Sequence, residues 1–434
     1  MQKFNQQLIK NVLQAAADTD YYKKLFKENG ICVDEIKTYD DFIKIPITTK
    51  EEYRTNKYDF ICNSKKKLLD IEQLKKCAGN FKACDKLLEK GGFNMVITSG
   101  STGIPLEVIH SNKDDYRNYY MLNRYRRKFK EFSITEKYIW LLPMNEKTKC
   151  MFFEKENKFL KDEYGIQYFL TNYSDEYMKE MHKLVEEEKP TWITGSPTAV
   201  ATYAQFLKRN GLSVKFNYIE LHSEPCFSWQ AAIIEEVFKT NYSIVYSSNE
   251  INFIAASCQD GKLHILEDNV FVELLESEQE GVSSQKVVLT GLNYLDTPFI
   301  RYEIGDLAKE TYCETCKKDA IELTGYRCSD MIYFSDETVC EPYIIYDSIF
   351  FMNAALKCDV LRYQVTQSSL GVFEYELDCK INDQLKERMI KFLEDFLSEG
   401  LCVKIKVIVN EMSKEKMLKN QKYKRFVALS KNCT

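Results

Sequence analysis

The sequence predicts an α/β fold: a large N-terminal domain with a parallel sheet and a β-rich stretch behind it, then a small C-terminal α+β domain. Three observations carry this. Between Thr191 and Ser247, short β-branched or aromatic runs alternate with helical segments, and strand–helix–strand order implies parallel strands with right-handed crossovers. From about Leu263 the chain turns strand-rich, with KLHILE, VFVELLE and KVVLTGL close together. After Asp330 two alternating runs flank one long amphipathic helix. The boundary is placed near residue 330, giving domains 1–330 and 331–434.

Taken in order, the first 60 residues read as helical, with TYDDFIKIPITTKEEYR a loop between helices. Pro46 stops one element, and Thr49 caps the next with Glu51 and Glu52 in its first turn. Val96 and Ile97 end a strand. TWIT (Thr191–Thr194) is the first strand of the alternating region. Ser196 suits an N-cap, Pro197 the first helical position and Gly211 the stop. NYIELHS, the helix SWQAAIIEEVFK and the strand SIVYS follow. Ligands of such sheets sit beyond the carboxyl ends of the strands, so the loops TGSP, HSEP and SSNE should converge on one rim. Near the end, EYELDCKI and LCVKIKVIV alternate as strands. Between them Leu385, Met389, Phe392, Leu393 and Phe396 make one helical stripe, which Gly400 closes.

Bulk properties narrow the class. The 434 residues carry a net charge of −5, without the basic excess of a nucleic-acid binder. Lysine-rich SKKKLLDIEQLKKC reads as a solvated helix face. No run approaches the length of a membrane span, and MQKFNQQLIKNVLQ lacks a signal-peptide core. A cytoplasmic protein is expected, whose 15 cysteines are reduced thiols or metal ligands.

The chain has only 16 glycines, yet VITSGSTGIPLEV sets two of them among clustered hydroxyls. Glycines permit positive φ, so successive N–H groups can face one concavity. Such a nest suits a polyphosphate; a surface turn is the plain alternative. GxxxxGK[ST] is absent, which disfavours a P-loop nucleotidase.

TSGSTGIP resembles the phosphate-binding signature of adenylate-forming (acyl-activating) enzymes. YDDFIKIPITTKEEYR before it, and PTWITGSPTAVATYAQFL, ELHSEPCFSWQAAIIEEVF, VYSSNE, TPFIRYEIGDLA and TGYRCSDMI after it, resemble that superfamily's other motifs in the same order. The pattern is similar to its phenylacetate–coenzyme A ligase and capsule-biosynthesis branch. The resemblance implies AMP-forming activation of a small carboxylic acid, aromatic in the named branch, by ATP with Mg2+. Transfer of the acyl group to a thiol follows, with coenzyme A the first choice and a carrier protein or an amine the others. A non-catalytic nucleotide-binding scaffold is the rival from another class. A homodimer is the implied assembly, with no nucleic-acid or membrane partner.

The resemblance implies these roles. Thr98, Ser99, Gly100, Ser101, Thr102 and Gly103 hold the phosphates. Glu250 binds Mg2+, as a hard cation prefers carboxylate oxygen. Tyr246 and the backbone of Ser223, Glu224 and Pro225 line the adenine slot. Asp306 accepts from both ribose hydroxyls, and Arg327 reaches a phosphate or ribose oxygen. Asn249 stands where the superfamily prefers threonine or serine, and Tyr326 separates Gly325 from Arg327. The usual hinge acid falls at Ser329 or Asp330. Lys422, or alternatively Lys424, aligns with the mobile catalytic lysine.

Cys258, His264, Cys313 and Cys316 form a Cys3His set suited to structural zinc; reduced bystander thiols are the alternative. His110, His182 and His222 have no partner legible from sequence and read as packing or surface histidines.

Overall fold

The N-terminal helices begin where short polar side chains can cap them. Asn5, Thr19 and Thr49 each accept a backbone N–H from the first turn of α1 (Gln6–Ala17), α2 (Asp20–Glu28) and α4 (Lys50–Asn56). Thr49 and Glu52 form a reciprocal capping box, so two orphan donors are satisfied at once. The stretch expected to be a loop before Thr49 holds a further one-turn helix, α3 (Tyr39–Phe42), because Thr38 and Asp41 make a second capping box. Helices α5 (Asn63–Lys66), α6 (Ile71–Lys76) and α7 (Phe81–Glu89) complete this layer.

A computed structural model describes residues 2–97, 106–129, 136–143, 149–150, 153–171, 174–276, 284–327, 331–333, 339–340, 342–358, 360, 362–401, 403–413, 416 and 426–429. After α7 come the hairpin β1 (Phe93–Ile97) and β2 (Glu107–Ser111), then α8 (Asn112–Phe129). The alternating region follows as β3 (Tyr138–Pro143), β4 (Phe159–Lys161), β5 (Gly165–Leu170), α9 (Asp175–Glu188), β6 (Trp192–Gly195), α10 (Pro197–Asn210), β7 (Tyr218–His222), α11 (Ser228–Phe238) and β8 (Tyr242–Ser248). Next are β9 (Asn252–Ser257), β10 (Leu263–Ile265), β11 (Val270–Leu275), β12 (Gln285–Gly291), β13 (Tyr302–Cys313) and β14 (Lys318–Arg327). Ten of these strands join β3 and β8 in one 12-stranded sheet, ordered β11-β12-β13-β14-β10-β9-β8-β7-β6-β3-β5-β4.

Strands β5, β3, β6, β7 and β8 are mutually parallel. Ser196 caps α10, Pro197 opens it and Gly211 ends it at φ 64°, as the sequence predicts. One face of the parallel strands, with Ile139, Leu141, Ile193, Ile219 and Leu221, buries against α9–α11. From β8 to β11 the sheet is antiparallel, and its apolar face packs on α1, α2 and α4.

Arg301 rivets the antiparallel strands to the N-terminal layer. Its guanidinium makes two 3.0 Å bonds to the carboxylate of Glu273 and donates to the carbonyls of Ile43 and Ile45. Thr48 extends the sheet locally: it donates to Arg301 O at 2.9 Å, and its own carbonyl accepts from Glu303 at 3.0 Å.

The C-terminal part holds a two-stranded ladder of β15 (Ile332–Tyr333) and β16 (Val339–Cys340), then α12 (Tyr343–Leu356), β17 (Tyr363–Ser369), β18 (Val372–Leu377), α13 (Asp383–Leu401), β19 (Lys406–Glu411) and β20 (Phe426–Val427). Its separate sheet, ordered β19-β18-β17-β20, has its own core. On α13, Met389, Leu393 and Leu397 are fully buried. Gly400 does not close this helix, which runs on to Leu401. A Cβ there would sit 2.1 Å from Ile344 Cδ1, so glycine serves close approach to α12. Among the described residues no helix is long and apolar enough to cross a membrane.

Glu273 is 3% exposed. Arg301→Met leaves its carboxylate buried without a cation, an expected loss of about 3–5 kcal/mol. A urea titration reads this as a lowered midpoint; an unchanged midpoint would show that the rivet carries no load.

Candidate functional site

The site forms around the turn that links β8 to β9. Glu250 lies in that turn, 3% exposed. An isolated carboxylate is costly to bury, and two groups from distant segments meet it. Lys50 Nζ, at the start of α4, lies 3.3 Å from Glu250 Oε1. Tyr302 donates its hydroxyl to the same oxygen at 3.2 Å. Burial, with the Glu250 charge behind it, raises the Tyr302 phenol well above its usual pKa, so this proton stays in place.

Asn249 faces the hairpin. Its amide donates to Ile97 O at 3.2 Å. Ile97 is the last residue of β1 and pairs with Glu107, the first of β2. Both ends of the hydroxyl-rich bend are therefore anchored beside Glu250. Thr98, Ser99, Gly100, Ser101, Thr102 and Gly103 themselves lie outside the described residues.

A second knot secures the hairpin. His110 Nδ1 is 2.9 Å from Asp115 Oδ1, and Asp115 also accepts from Asn94 at 2.7 Å and Asn252 at 2.9 Å. Burial opposes the Asp115 charge, but His110 and the asparagine donors outweigh it and lower the carboxyl pKa. His110 thus has the partner that sequence could not supply. So do His182, whose Nδ1 is 2.8 Å from Tyr203 Oη, and His222, whose Nδ1 is 2.7 Å from Ser223 Oγ.

Asp306 joins the site by a long reach. Three strands separate β13 from β8 in the sheet order, yet Tyr246 Oη on β8 donates to Asp306 Oδ2 at 2.9 Å. Gly305 precedes Asp306 at φ 82°, and the β13–β14 register shifts just after it. Arg327 is paired with Asp306 across that ladder; its side chain lies outside the described set. At the end of β7, Ser223 takes φ 75°. Glu224 Oε1 accepts from Thr198 N at 2.7 Å, while Ser223 and Pro225 are exposed. Glu224 therefore ties this turn to the first turn of α10. His222 pairs with Val245 in the sheet, so this turn borders the Tyr246 strand.

The structure thus brings together Tyr246, Asn249, Glu250, Asp306, the Arg327 backbone, the Ser223–Pro225 turn and the anchors of the bend. Lys422 and Lys424 lie outside the described residues. Sequence reasoning missed Lys50 and Tyr302. Both stand inside the motif-like segments ITTKEEYR and PFIRYEIGDLA, which was the available signal.

The Cys3His set forms a separate cluster. One ligand atom from each of Cys258, His264, Cys313 and Cys316 lies within 4.8 Å of all the others. Cys258 follows β9, His264 sits on β10, and Cys313 and Cys316 flank the β13–β14 turn. His264 Nδ1 pairs with Asp319 O at 3.0 Å. In that bond Nδ1 is the donor, and Nε2 is buried and, among the described residues, without a hydrogen-bond partner. The N–H of Cys316 meets Cys313 Sγ at 3.4 Å and lowers that thiol's pKa. Three sulfurs and an imidazole nitrogen suit a tetrahedral cation such as zinc, and a metal-binding histidine usually donates its other ring N–H to an oxygen, as His264 does to the Asp319 carbonyl.

No protein-family model matches the chain. Protein CapK of Staphylococcus aureus is 23% identical over 299 residues, covering 67% of this chain and 58% of CapK; the chain spans less than two-thirds of that relative. Among solved structures, 2-hydroxyisobutyryl-CoA ligase in its postadenylation state, with R3-HIB-AMP, superposes with a TM-score of 0.68 at 14% identity, over 97% of this chain and 88% of its own. The same ligase in its thioesterification state, with 2-HIB-AMP and CoA, gives 0.53 at 14% identity, over 98% and 89%. A fatty acyl-adenylate ligase from the E. coli and L. pneumophila studies gives 0.53 at 14% identity, over 76% and 67%. The chain has the fold of the adenylate-forming ligases, a large α/β domain followed by a small one.

Asn249→Ala removes the side-chain tie to Ile97. A lost hydrogen bond of about 1 kcal/mol should speed amide exchange in β1 about fivefold. Hydrogen–deuterium exchange of peptides ending near residue 97 measures it; unchanged rates would show that the hairpin is held elsewhere.

Proposed function

We propose that this chain is an AMP-forming acid–thiol ligase. The carrying observation is the meeting of Glu250, Asp306, Tyr246 and the anchored ends of the 98–103 bend at the carboxyl end of β8. In the first half-reaction a carboxylate oxygen attacks the α-phosphorus of ATP. The bond to the bridging oxygen breaks, pyrophosphate leaves, and an acyl-adenylate remains. In the second, a thiolate attacks the acyl carbon and AMP departs, the thiol having given its proton to solvent. Coenzyme A is the proposed thiol, which the CoA-bound ligase of the same fold supports.

The chemistry asks mainly for positioning and charge compensation. The bend at Thr98–Gly103 supplies donors to the phosphates. Asp306 offers its carboxylate to the ribose diol, with Tyr246 fixing the Oδ2 side. The exposed Ser223–Pro225 turn borders the adenine. Glu250 would hold Mg2+, which supplies charge neutralisation at the phosphates, and Lys50 and Tyr302 orient its carboxylate. Arg327, opposite Asp306, donates to a phosphate or ribose oxygen. Lys422 or Lys424 approaches from the small domain, with the boundary near residue 330 as hinge.

Carboxylate-dependent exchange of labelled pyrophosphate into ATP tests this reading. Asp306→Ala should lower it by about 100-fold with the urea midpoint little changed, whereas Glu250→Gln, which leaves Lys50 without its anion, should lower both the exchange and the midpoint. ATP binding without exchange on a broad acid panel would favour the scaffold reading instead. Adduct mass on CoA, carrier proteins and amines identifies the acceptor.

We also infer zinc at Cys258, His264, Cys313 and Cys316. Four protein ligands leave no open position, so the metal would brace the ends of β9, β10, β13 and β14 and take no part in the reaction. Elemental analysis should find about one zinc per chain. Cys313→Ser with Cys316→Ser should abolish it and lower the melting temperature. Metal-free protein of equal stability would contradict the assignment.

A further inference from the structure

One row of side chains crosses the parallel strands on the face away from α9–α11. Trp140 on β3 pairs with Thr194 on β6, Thr194 with Glu220 on β7, and Glu220 with Ser243 on β8. Neighbours in register on parallel strands point to the same side. Their sequence neighbours Ile139, Leu141, Ile193, Ile219 and Leu221 fill the opposite, apolar face. The row therefore faces α8, whose Arg126 grips Glu220: Nε lies 2.7 Å from Oε2, and Nη2 bonds Oε1.

At the Glu220 end the polar groups are satisfied. Arg126 Nη1 also donates to Asn123 at 2.9 Å, and Tyr218 Oη donates to Glu220 Oε2 at 3.1 Å. At the other end they are not. Trp140 Nε1 and Thr194 Oγ1 are buried and, among the described residues, have no hydrogen-bond partner; Thr194 is 6% exposed. Buried donors are rarely left unpaired, and each such group asks for an explanation. An indole N–H can only donate, so whatever meets it carries an acceptor.

The pair sits next to the proposed nucleotide site. The Trp140 ring lies 5.9 Å from the His222 ring, and His222 holds Ser223 of the turn assigned to adenine. The start of α8 is tied to the β8–β9 turn through Asp115 and Asn252. The ligase reading puts the acid's tail on this side of the sheet, toward α8 and the row.

We propose that Trp140 and Thr194 select a carboxylic acid whose tail bears a neutral hydroxyl or carbonyl oxygen. The inference rests on the ligase reading and narrows its substrate class. A plain aryl or alkyl tail would leave both donors unpaired. A second carboxylate would find the Arg126 guanidinium already committed to Glu220. A hydroxyl or carbonyl oxygen accepts from the indole, and Thr194 gives or takes the second bond.

Pyrophosphate exchange on matched acids tests it: lactate with propionate, 3-hydroxybutyrate with butyrate, levulinate with valerate, 4-hydroxyphenylacetate with phenylacetate. Sites built to hydrogen-bond a substrate group reject the analogue lacking it. In at least one pair the oxygenated acid should win by about tenfold or more in kcat/KM. Trp140→Phe and Thr194→Val should each bring that pair toward parity by weakening the oxygenated acid alone. Preference for the apolar member throughout, or a preference untouched by both variants, overturns the proposal. The chain has three tryptophans, so the indole N–H signal lost in Trp140→Phe identifies Trp140 by NMR. That signal should move on adding oxygenated acids and stay still with their apolar partners. If no acid supports exchange, the ligase reading fails, and the indole titration decides the pocket by itself: no movement with any oxygenated acid overturns it.

Discussion

A buried carboxylate governs how this fold assembles. Glu250 sits in a turn where desolvation of its charge would be expensive, and the remedy comes from two remote places. Lys50 arrives at the first residue of a capped helix, and Tyr302 at the first residue of a long strand. The bridge of Thr48 to the backbone at Arg301 and Glu303 sets both in register. Satisfying one charge thus fixes the N-terminal layer, the parallel strands and the antiparallel strands against each other. The remaining polar ties radiate from that point: Asn249 to Ile97, Asn252 to Asp115, Tyr246 to Asp306.

Local chemistry was legible in the sequence wherever a few adjacent residues decide the outcome. Thr49 with Glu52, and Ser196 with Pro197 and Gly211, act within one or two turns, so their helix ends could be placed. The strands of the alternating region follow from runs whose period and flanks leave little choice. The Cys3His set was legible for another reason: ligands are few in kind, and a histidine six residues from a cysteine is scarce in a chain with four histidines.

What sequence could not supply is pairing across distance. Nothing near Lys50 points to Glu250, and nothing near Asn249 points to the carbonyl of Ile97. Gly400 was misread because a close approach to Ile344 and a helix stop look alike in one dimension. The one-turn helix at Tyr39 was lost inside a segment dominated by proline and β-branched residues. The polar row from Trp140 to Ser243 is the strongest case. Its members come from four strands, and their common face exists only once the register is set. Of the candidate site, the turn residues lie at the end of β7 and Asp306 on β13 bonded to Tyr246, while Thr98–Gly103 and the lysines at 422 and 424 fall outside the described residues.

The central claim is that a nucleotide lies across the carboxyl end of β8. Photolabelling with 8-azido-ATP, followed by peptide mapping, tests it most directly. The account predicts adducts on the peptides that carry Ser223–Pro225 and Tyr246, suppressed by excess ATP. Adducts instead in the cavity of about 880 Å3 lined by Arg124, Tyr125, His264 and Cys316, with none near Tyr246, would contradict it.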